Sequence, residues 1–159
     1  NNMRTVKTNV CRVLDAAKIG YTLFEYSVND NELDAVSVAK KIGLPPDKVF
    51  KTLVLQGSFL PYFVVVVQSV KELSLKSAAL QTNNKSCAML PQKELLSITG
   101  YIRGGCSPIG MKKKFPTFLD ESALTFDTIS ISPGVRGQQI LISPHDLMAI
   151  TQAKIIRCE

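Results

Sequence analysis

The stretch VFKTLVLQGSFLPYFVVVVQ, residues 49–68, holds two runs that are rich in β-branched and aromatic residues. The runs VFKTLVLQ (49–56) and YFVVVVQ (62–68) are separated by GSFLP, whose glycine and proline are typical of a turn. This arrangement predicts an antiparallel strand pair at the centre of a sheet.

Helical and extended patterns flank this hairpin on both sides. Apolar periodicity and capping residues, among them Ser74 and Ser143, predict helices over 5–18, 34–42, 75–81, 91–98 and 144–151. Shorter β-rich runs predict strands at 21–28, 87–90, 117–120, 128–132, 138–142 and 154–158. Because strands and short helices mix without a regular β-α-β alternation, the predicted class is α+β with a mixed, mostly antiparallel sheet.

The composition is that of an ordinary globular chain. It has 159 residues, of which 45% are hydrophobic and 20% are charged, and no repeat or linker interrupts it, so we expect a single domain over 1–159. No apolar run approaches the ~20 residues of a membrane span. The first ten residues lack the basic-then-apolar order of a signal peptide, so a cytoplasmic protein is expected.

The cysteine and histidine content restricts the chemistry. Four cysteines form no C-x-x-C pair, and the one histidine, His145, is near none of them in sequence. A metal site and a disulfide framework are therefore not expected. A Ser-His-Asp or Cys-His arrangement would have to use His145, and no cofactor is predicted.

The net charge of +6 leaves two interpretations open. Clustered Lys and Arg favour a polyanionic partner such as nucleic acid, whereas a dispersed positive charge only aids solubility. The basic residues gather at Lys40-Lys41, at Lys112-Lys113-Lys114 near Arg103, and at Arg136.

Lys51 is the first candidate for a functional side chain. Strand alternation places it on the same face as Val49, Leu53 and Leu55. A lysine in an apolar row is costly unless its ammonium group reaches water or an anion. It either extends to the surface along its aliphatic stem or points into a cleft, where it would hold a phosphate or polarise a carbonyl.

The glycine-rich segment GYIRGGCSPIG, residues 100–110, is the second candidate. Gly104 and Gly105 allow positive φ and a close approach of backbone amides to a ligand. The spacing matches neither a P-loop nor a dinucleotide-binding fingerprint, so a plain turn and a pocket wall remain open. Cys106 as a nucleophile would need a nearby base, which the sequence does not show.

The segment TISISPGVRG, residues 128–137, is the third candidate. Alternation sends Ser130 and Ser132 to one face of a short strand, where they would face solvent or line a pocket. Arg136 follows and would meet a phosphate or lie in a turn.

Three segments together resemble the YbaK family of aminoacyl-tRNA editing proteins, the Cys-tRNA(Pro) deacylases, which is related to the editing domain of bacterial prolyl-tRNA synthetase. They are VFKTLVL (49–55), GYIRGGCSPIGMKKKFPTFLD (100–120) and ISISPGVRG (129–137). The resemblance implies a compact α+β fold whose mixed sheet is curved into a barrel-like core with flanking helices. It also implies hydrolysis of mischarged tRNA(Pro), most specifically Cys-tRNA(Pro).

The resemblance also implies roles for individual residues. Lys51 would contact the terminal nucleotide or its phosphate, and the backbone of Gly104 and Gly105 would face the aminoacyl carbonyl, with Ser107 completing the catalytic group. The implied substrate-binding residues are Tyr26, Thr52, Cys106, Pro108, Gly110, Ser132, Gly134 and Arg136. Lys112, Lys113 and Lys114 would meet the tRNA backbone.

The family chemistry explains why no acid–base set is visible. In Cys-tRNA(Pro) the thiol of the substrate can attack its own ester while the protein holds the geometry. One departure is Gln138-Gln139, where many relatives have an acidic residue after the Arg-Gly pair. Because no anticodon reader is evident, prolyl-tRNA synthetase is implied as a partner. A deacylase for another amino acid such as alanine, and a non-catalytic module that binds tRNA or a synthetase, are the alternatives.

Overall fold

The computed structural model describes residues 6–29 and 31–158. The strands are β1 (Thr22–Glu25), β2 (Phe50–Gly57), β3 (Phe63–Gln68), β4 (Cys87–Met89), β5 (Thr117–Asp120), β6 (Ile129–Ile131), β7 (Gln138–Ile142) and β8 (Lys154–Ile156). The α-helices are α1 (Asn9–Ala16), α2 (Ala35–Ile42), α3 (Leu75–Gln81), α4 (Leu95–Thr99) and α5 (Pro144–Thr151). Short 3₁₀ helices cover Pro46–Lys48, Gln92–Glu94 and Glu121–Thr125.

The hairpin predicted from residues 49–68 lies in the middle of a five-stranded sheet. The strand order is β4-β2-β3-β5-β8, and β2 pairs antiparallel with β3 from Phe50↔Gln68 to Leu55↔Phe63. The strand β4 is antiparallel to β2, whereas β5 and β8 add parallel pairs. The predicted central hairpin and mixed sheet are therefore confirmed.

A second sheet of three strands has the order β1-β7-β6, and both of its pairs are antiparallel. One parallel bridge between Val49 and Ser130 links it to the start of β2. The α+β class is confirmed. Within the described residues the strand pairing does not close the two sheets into a barrel, so the barrel-like part of the expectation stays a prediction.

The five-stranded sheet carries apolar clusters on both faces, which explains why every residue of β3 is buried. Phe50, Val54, Val64 and Val66 belong to the main cluster, with residues from α1, β6 and β7. Leu55, Phe63, Val65 and Val67 belong to a smaller cluster with Ile156 of β8. Burying one such side chain contributes about 1.5–3 kcal/mol, so this strand anchors the fold.

Side-chain caps set the helix boundaries close to the predicted ones. Asp34, Ser74 and Ser143 accept hydrogen bonds from the first turns of α2, α3 and α5. Thr8 caps α1, so this helix begins at Asn9 and is shorter than predicted; Thr5, in the predicted range, lies outside the described residues. The helix predicted at 91–98 divides into the 3₁₀ turn Gln92–Glu94 and α4.

Among the described residues, none of the helices has the length and apolar content needed to cross a bilayer.

Candidate active site

A cavity of about 530 Å³ lies where the two sheets meet, and its size falls within the range of small-molecule sites. Residues from β2, α2, β7, the turn after β6 and the segments around 89–95 and 103–106 line it. They are Tyr26, Leu33, Asp34, Ala35, Val38, Val49, Phe50, Lys51, Thr52, Leu53, Val54, Ser69, Met89, Leu90, Gln92, Leu95, Arg103, Gly104, Cys106, Ser132 and Gln139.

An open edge of β2 forms one wall of this cavity. On the edge of β2 that faces away from β3, Val49 forms a bridge to Ser130. On the same edge, the Val54 carbonyl accepts a hydrogen bond of 2.9 Å from the Leu90 N–H. The pairing with β4 starts only at Leu55. Because alternate residues of an antiparallel strand direct their backbone groups to the same edge, the N–H and C=O of Thr52 point toward the cavity.

Lys51 enters the cavity from this strand. Its half-buried side chain lies on the face of β2 that carries Leu53 and Leu55, as the alternation predicts. It forms no ion pair or hydrogen bond with any side chain that the structure describes. Its ammonium group is therefore available to a ligand.

The loop at 100–110 is held in shape by Tyr101. The Tyr101 hydroxyl donates a hydrogen bond of 2.5 Å to the Ile109 carbonyl, and burial raises the pKa of Tyr101 to about 12. Gly110 and Gly134 have positive φ, and a Cβ on either would come within 2.9 Å of the Tyr101 side chain. The Tyr101 side chain therefore packs directly against both glycine turns.

The predicted catalytic residues of this loop fall into two groups. Gly104 lines the cavity, and its N–H is not engaged by any described residue. Gly105 instead donates its N–H to the Ile102 carbonyl at 3.0 Å. Ser107 is fully buried and accepts the N–H of Ile109 at 3.2 Å. Gly105 and Ser107, with buried Pro108, therefore stabilise the turn behind the cavity wall.

Cys106 lines the cavity as a neutral thiol. Burial raises the pKa of the thiol to about 12, and only 9% of the residue is exposed. No histidine lines this cavity, and His145 lies exposed on α5. Because the thiolate is the reactive form, this environment does not favour Cys106 as a nucleophile.

The third predicted segment contributes Ser132 to the cavity. Its Oγ accepts the N–H of Gly134 at 3.1 Å, which fixes the turn after β6. Arg136 lies outside the lining residues and donates from Nε to the Arg103 carbonyl at 2.8 Å. It therefore joins this turn to the 100–110 loop, and its remaining guanidinium nitrogens are free of described partners.

The other predicted residues divide between wall and surface. Tyr26 and Thr52 line the cavity, with the Nζ of Lys41 6.0 Å from the centre of the Tyr26 ring. Lys112, Lys113 and Lys114 are exposed and lie outside the cavity.

The cavity is cationic. Lys51 and Arg103 line it, and the one carboxylate among its lining residues, Asp34, accepts the N–H and Oγ–H of Ser37, each at 2.9 Å. These bonds lower the pKa of Asp34. No group of three or more metal-ligating side chains occurs in residues 6–29 and 31–158.

Comparison with known proteins identifies this architecture. The model of the aminoacyl-tRNA editing domain matches residues 30–150. The chain belongs to this family. It is 42% identical over 148 residues to a protein of Enterococcus faecalis named as a Cys-tRNA(Pro)/Cys-tRNA(Cys) deacylase, EbsC, covering 93% of this chain and 90% of that one. The family predicted from the sequence is thereby confirmed.

Solved structures share the fold of this editing domain. One, described as a trans-editing enzyme for prolyl-tRNA synthetase, has a TM-score of 0.84 at 21% identity and covers 97% of this chain and 99% of that one. Another, of a protein described as hypothetical, has a TM-score of 0.83 at 18% identity, with 92% and 96% covered. Because the sequence identities are this low, the similarity shows a shared fold.

Sequence reasoning missed several residues of the site in the editing domain. Nothing in the sequence marked Tyr101 except its place in a glycine-rich segment, because it packs against Gly134, which is distant in sequence. Arg103 was noticed only as a basic neighbour, and Leu33, Asp34 and Val38 reach the cavity through the tertiary position of α2.

Proposed function

We propose that this editing domain is a trans-acting deacylase of mischarged tRNA(Pro), with Cys-tRNA(Pro) as its preferred substrate. The observation that carries the proposal is a cavity of about 530 Å³ that collects Lys51, a free Gly104 N–H and Ser132, without a histidine or an uncommitted carboxylate among its described lining residues. Family membership and the name of the E. faecalis relative support the same reaction.

The proposed step uses the thiol of the substrate as the nucleophile. Its sulfur attacks the ester carbonyl carbon, a C–S bond forms, the ester C–O bond breaks, and the 3′ oxygen leaves with a proton. Water then opens the resulting thiolactone to give free cysteine. Near-attack positioning can provide roughly 7–11 kcal/mol, so such a cavity needs no protein nucleophile.

The residues of the cavity supply positioning and charge stabilisation in this proposal. The Lys51 ammonium group holds the terminal nucleotide and orients the ester, and the Gly104 N–H faces the oxygen on which negative charge develops. Thr52, Tyr26 and Ser132 shape the walls. Gly105 and Ser107 act through the loop, because their own polar groups are already bonded within it.

Residues outside the cavity complete the proposal. Lys112–Lys114 and Arg136 would meet tRNA phosphates, and a complex with prolyl-tRNA synthetase would supply tRNA selection in the cytoplasm. Residues 1–159 would form one editing domain. The barrel-like curvature belongs to the same proposal, and the bridge between Val49 and Ser130 supports it.

The paired deacylation of Cys-tRNA(Pro) and Ala-tRNA(Pro) tests this function. We expect rapid loss of the cysteinyl ester and slow loss of the alanyl ester, with and without prolyl-tRNA synthetase. Preference for the alanyl ester would assign the alanine activity instead. Salt-sensitive tRNA binding with no turnover of either ester would identify a binding module and contradict the proposal.

A further inference from the structure

Gln139 is a buried polar side chain that lines the cavity. It lies on β7 opposite Phe24 of β1, and only 6% of it is exposed. Ser130 of the neighbouring strand β6 and Ser132, which follows that strand, share its face, since alternate residues point to the same side, and Ser132 lines the same cavity.

The hydrogen bond to Ser130 fixes the orientation of the Gln139 amide. Ser130 is 0% exposed, and its Oγ–H donates to Gln139 Oε1 at 2.7 Å. With the amide reversed, the buried Ser130 hydroxyl proton would have no acceptor among the described residues, because Oε1 is its one partner there. The Oε1 therefore faces Ser130.

The Nε2 end of the Gln139 amide is consequently a donor without a partner among the described residues. Neither of its N–H groups has a hydrogen-bond partner within residues 6–29 and 31–158, although the side chain is more than nine-tenths buried. Nε2 is not one of the buried side-chain atoms that lack a partner, so it opens on the cavity that its residue lines, where it can donate to a ligand.

We propose that Gln139 is a further substrate-binding residue that donates a hydrogen bond from Nε2 to an uncharged acceptor oxygen of the aminoacyl-adenosine end of the substrate. The acceptor is either the ester carbonyl oxygen or the ribose 2′ oxygen. This inference rests on the proposed function, because it needs an aminoacyl-adenosine in the cavity.

The charge of the surrounding wall supports a donor function at this position. Lys51 and Arg103 also offer only donors, and Asp34 has both carboxylate oxygens engaged by Ser37. The charged side chains of the wall thus favour an acceptor oxygen over the α-ammonium group.

Exchanging the donor for an acceptor tests the inference directly. The Gln139→Glu variant keeps an oxygen for the Ser130 hydroxyl but presents a carboxylate oxygen where Nε2 now lies. The probe is a non-hydrolysable analogue in which cysteine is joined by an amide to the 3′ position of adenosine 5′-phosphate. Titration calorimetry at pH 8 should show binding weakened about tenfold, the loss expected for one such hydrogen bond.

Two further variants separate this loss from the effect of added charge. Gln139→Met has similar length, no added charge and no donor, and it should weaken the analogue by a comparable factor. Gln56→Glu makes the same chemical change on β2 outside the cavity and should bind like the wild type. Binding within twofold of wild type by both Gln139 variants would overturn the inference.

A 2′-deoxy form of the analogue distinguishes the two acceptors. If Gln139→Glu weakens both forms equally, the amide carbonyl, which stands in for the ester carbonyl, accepts the bond. If the loss disappears with the 2′-deoxy form, the ribose oxygen accepts it. Failure of the wild type to bind the analogue or to deacylate Cys-tRNA(Pro) would contradict the proposed function itself, and the inference with it.

Discussion

The two ends of β2 differ in where their backbone groups find partners. At the hairpin end, Asn84 Oδ1 accepts the N–H groups of Phe59 and Leu60 at 2.7 and 2.9 Å, and Gly57 N–H donates to the Leu60 carbonyl at 2.9 Å. At the other end, the edge that carries the Thr52 backbone groups faces the cavity. The hairpin end pairs with β4 through Gly57 and finds its other partners within the protein, whereas at Thr52 the same edge has no neighbouring strand.

This difference separates residues that hold the fold from residues that are available to a ligand. Buried backbone groups need partners, so a side chain such as Asn84, itself only 6% exposed, stabilises the turn it bonds. Groups that face the cavity keep their hydrogen-bonding capacity for a substrate. Changes at the cavity end should therefore lower activity, whereas changes at the hairpin end should lower stability.

The largest expected effect on activity is at Lys51. Lys51→Ala removes the cation at the cavity end of β2 and should slow deacylation of Cys-tRNA(Pro) about a hundredfold or more, the loss typical of one preorganised charge-stabilising group. Single-turnover kinetics measure it, and the melting temperature should stay near that of the wild type. Lys76→Ala, on the exposed surface of α3, is the matched control. A Lys51→Ala variant with wild-type turnover would show that this end of β2 is not catalytic.

The hairpin end should respond in the opposite way. Asn84→Ala leaves the N–H groups of Phe59 and Leu60 without their acceptor and also removes the bond from Nδ2 to Thr82 Oγ1. The free energy of unfolding should fall by about 2–3 kcal/mol, as measured by urea denaturation. Turnover per folded molecule should be unchanged; a loss of turnover in the fully folded variant would remove the distinction between the two ends.

Tyr101→Phe should give an intermediate effect, because this residue shapes the cavity wall without lining it. Loss of the bond from its hydroxyl to the Ile109 carbonyl should reduce stability by about 1 kcal/mol. If the cavity wall at Gly104 becomes less rigid, kcat should fall several-fold while KM changes little. Equal kcat values for the variant and the wild type would show that the loop keeps its geometry without this bond.

The smallest effect on activity is expected at Cys106. Cys106→Ala should deacylate Cys-tRNA(Pro) within about twofold of the wild type, since a buried neutral thiol is a weak nucleophile. Complete loss of activity in this variant, together with a thioester trapped on Cys106 of the wild type, would instead identify a protein nucleophile.

The same variant should change the stability at alkaline pH. Burial raises the pKa of the Cys106 thiol from 9.0 to about 12, so the folded state keeps a proton that the unfolded state loses. The stability from this group is present below pH 9 and falls as the pH rises toward 12. Urea denaturation at pH 8 and pH 10.5 should show a smaller decline for Cys106→Ala than for the wild type; equal declines would contradict the raised pKa.

Local sequence signals predicted most of the fold. The runs of β-branched residues in 49–68 identified the central hairpin, and Ser74 and Ser143 marked helix starts because a capping hydroxyl acts within one turn. The boundaries of α1 and of the 91–98 segment were less accurate, since they depend on which backbone groups find partners at the helix ends.

The candidate site was predictable only in part. Strand alternation identified Lys51, and a glycine-rich segment identified Gly104, because both signals are local. That Gly105 and Ser107 bond within their own loop, and that Tyr101 packs against Gly134, depends on tertiary packing that no local pattern encodes. The orientation of the Gln139 amide likewise depends on Ser130 of the neighbouring strand.

The central claim is that the protein positions the ester while the substrate provides the nucleophile. It is tested most directly by comparing Cys-tRNA(Pro) with S-methylcysteinyl-tRNA(Pro) under single-turnover conditions. The methyl group removes the nucleophilic thiol and adds little volume, so the account predicts that the S-methylated ester is hydrolysed at least a hundredfold more slowly. Hydrolysis of both esters at the same rate would contradict it.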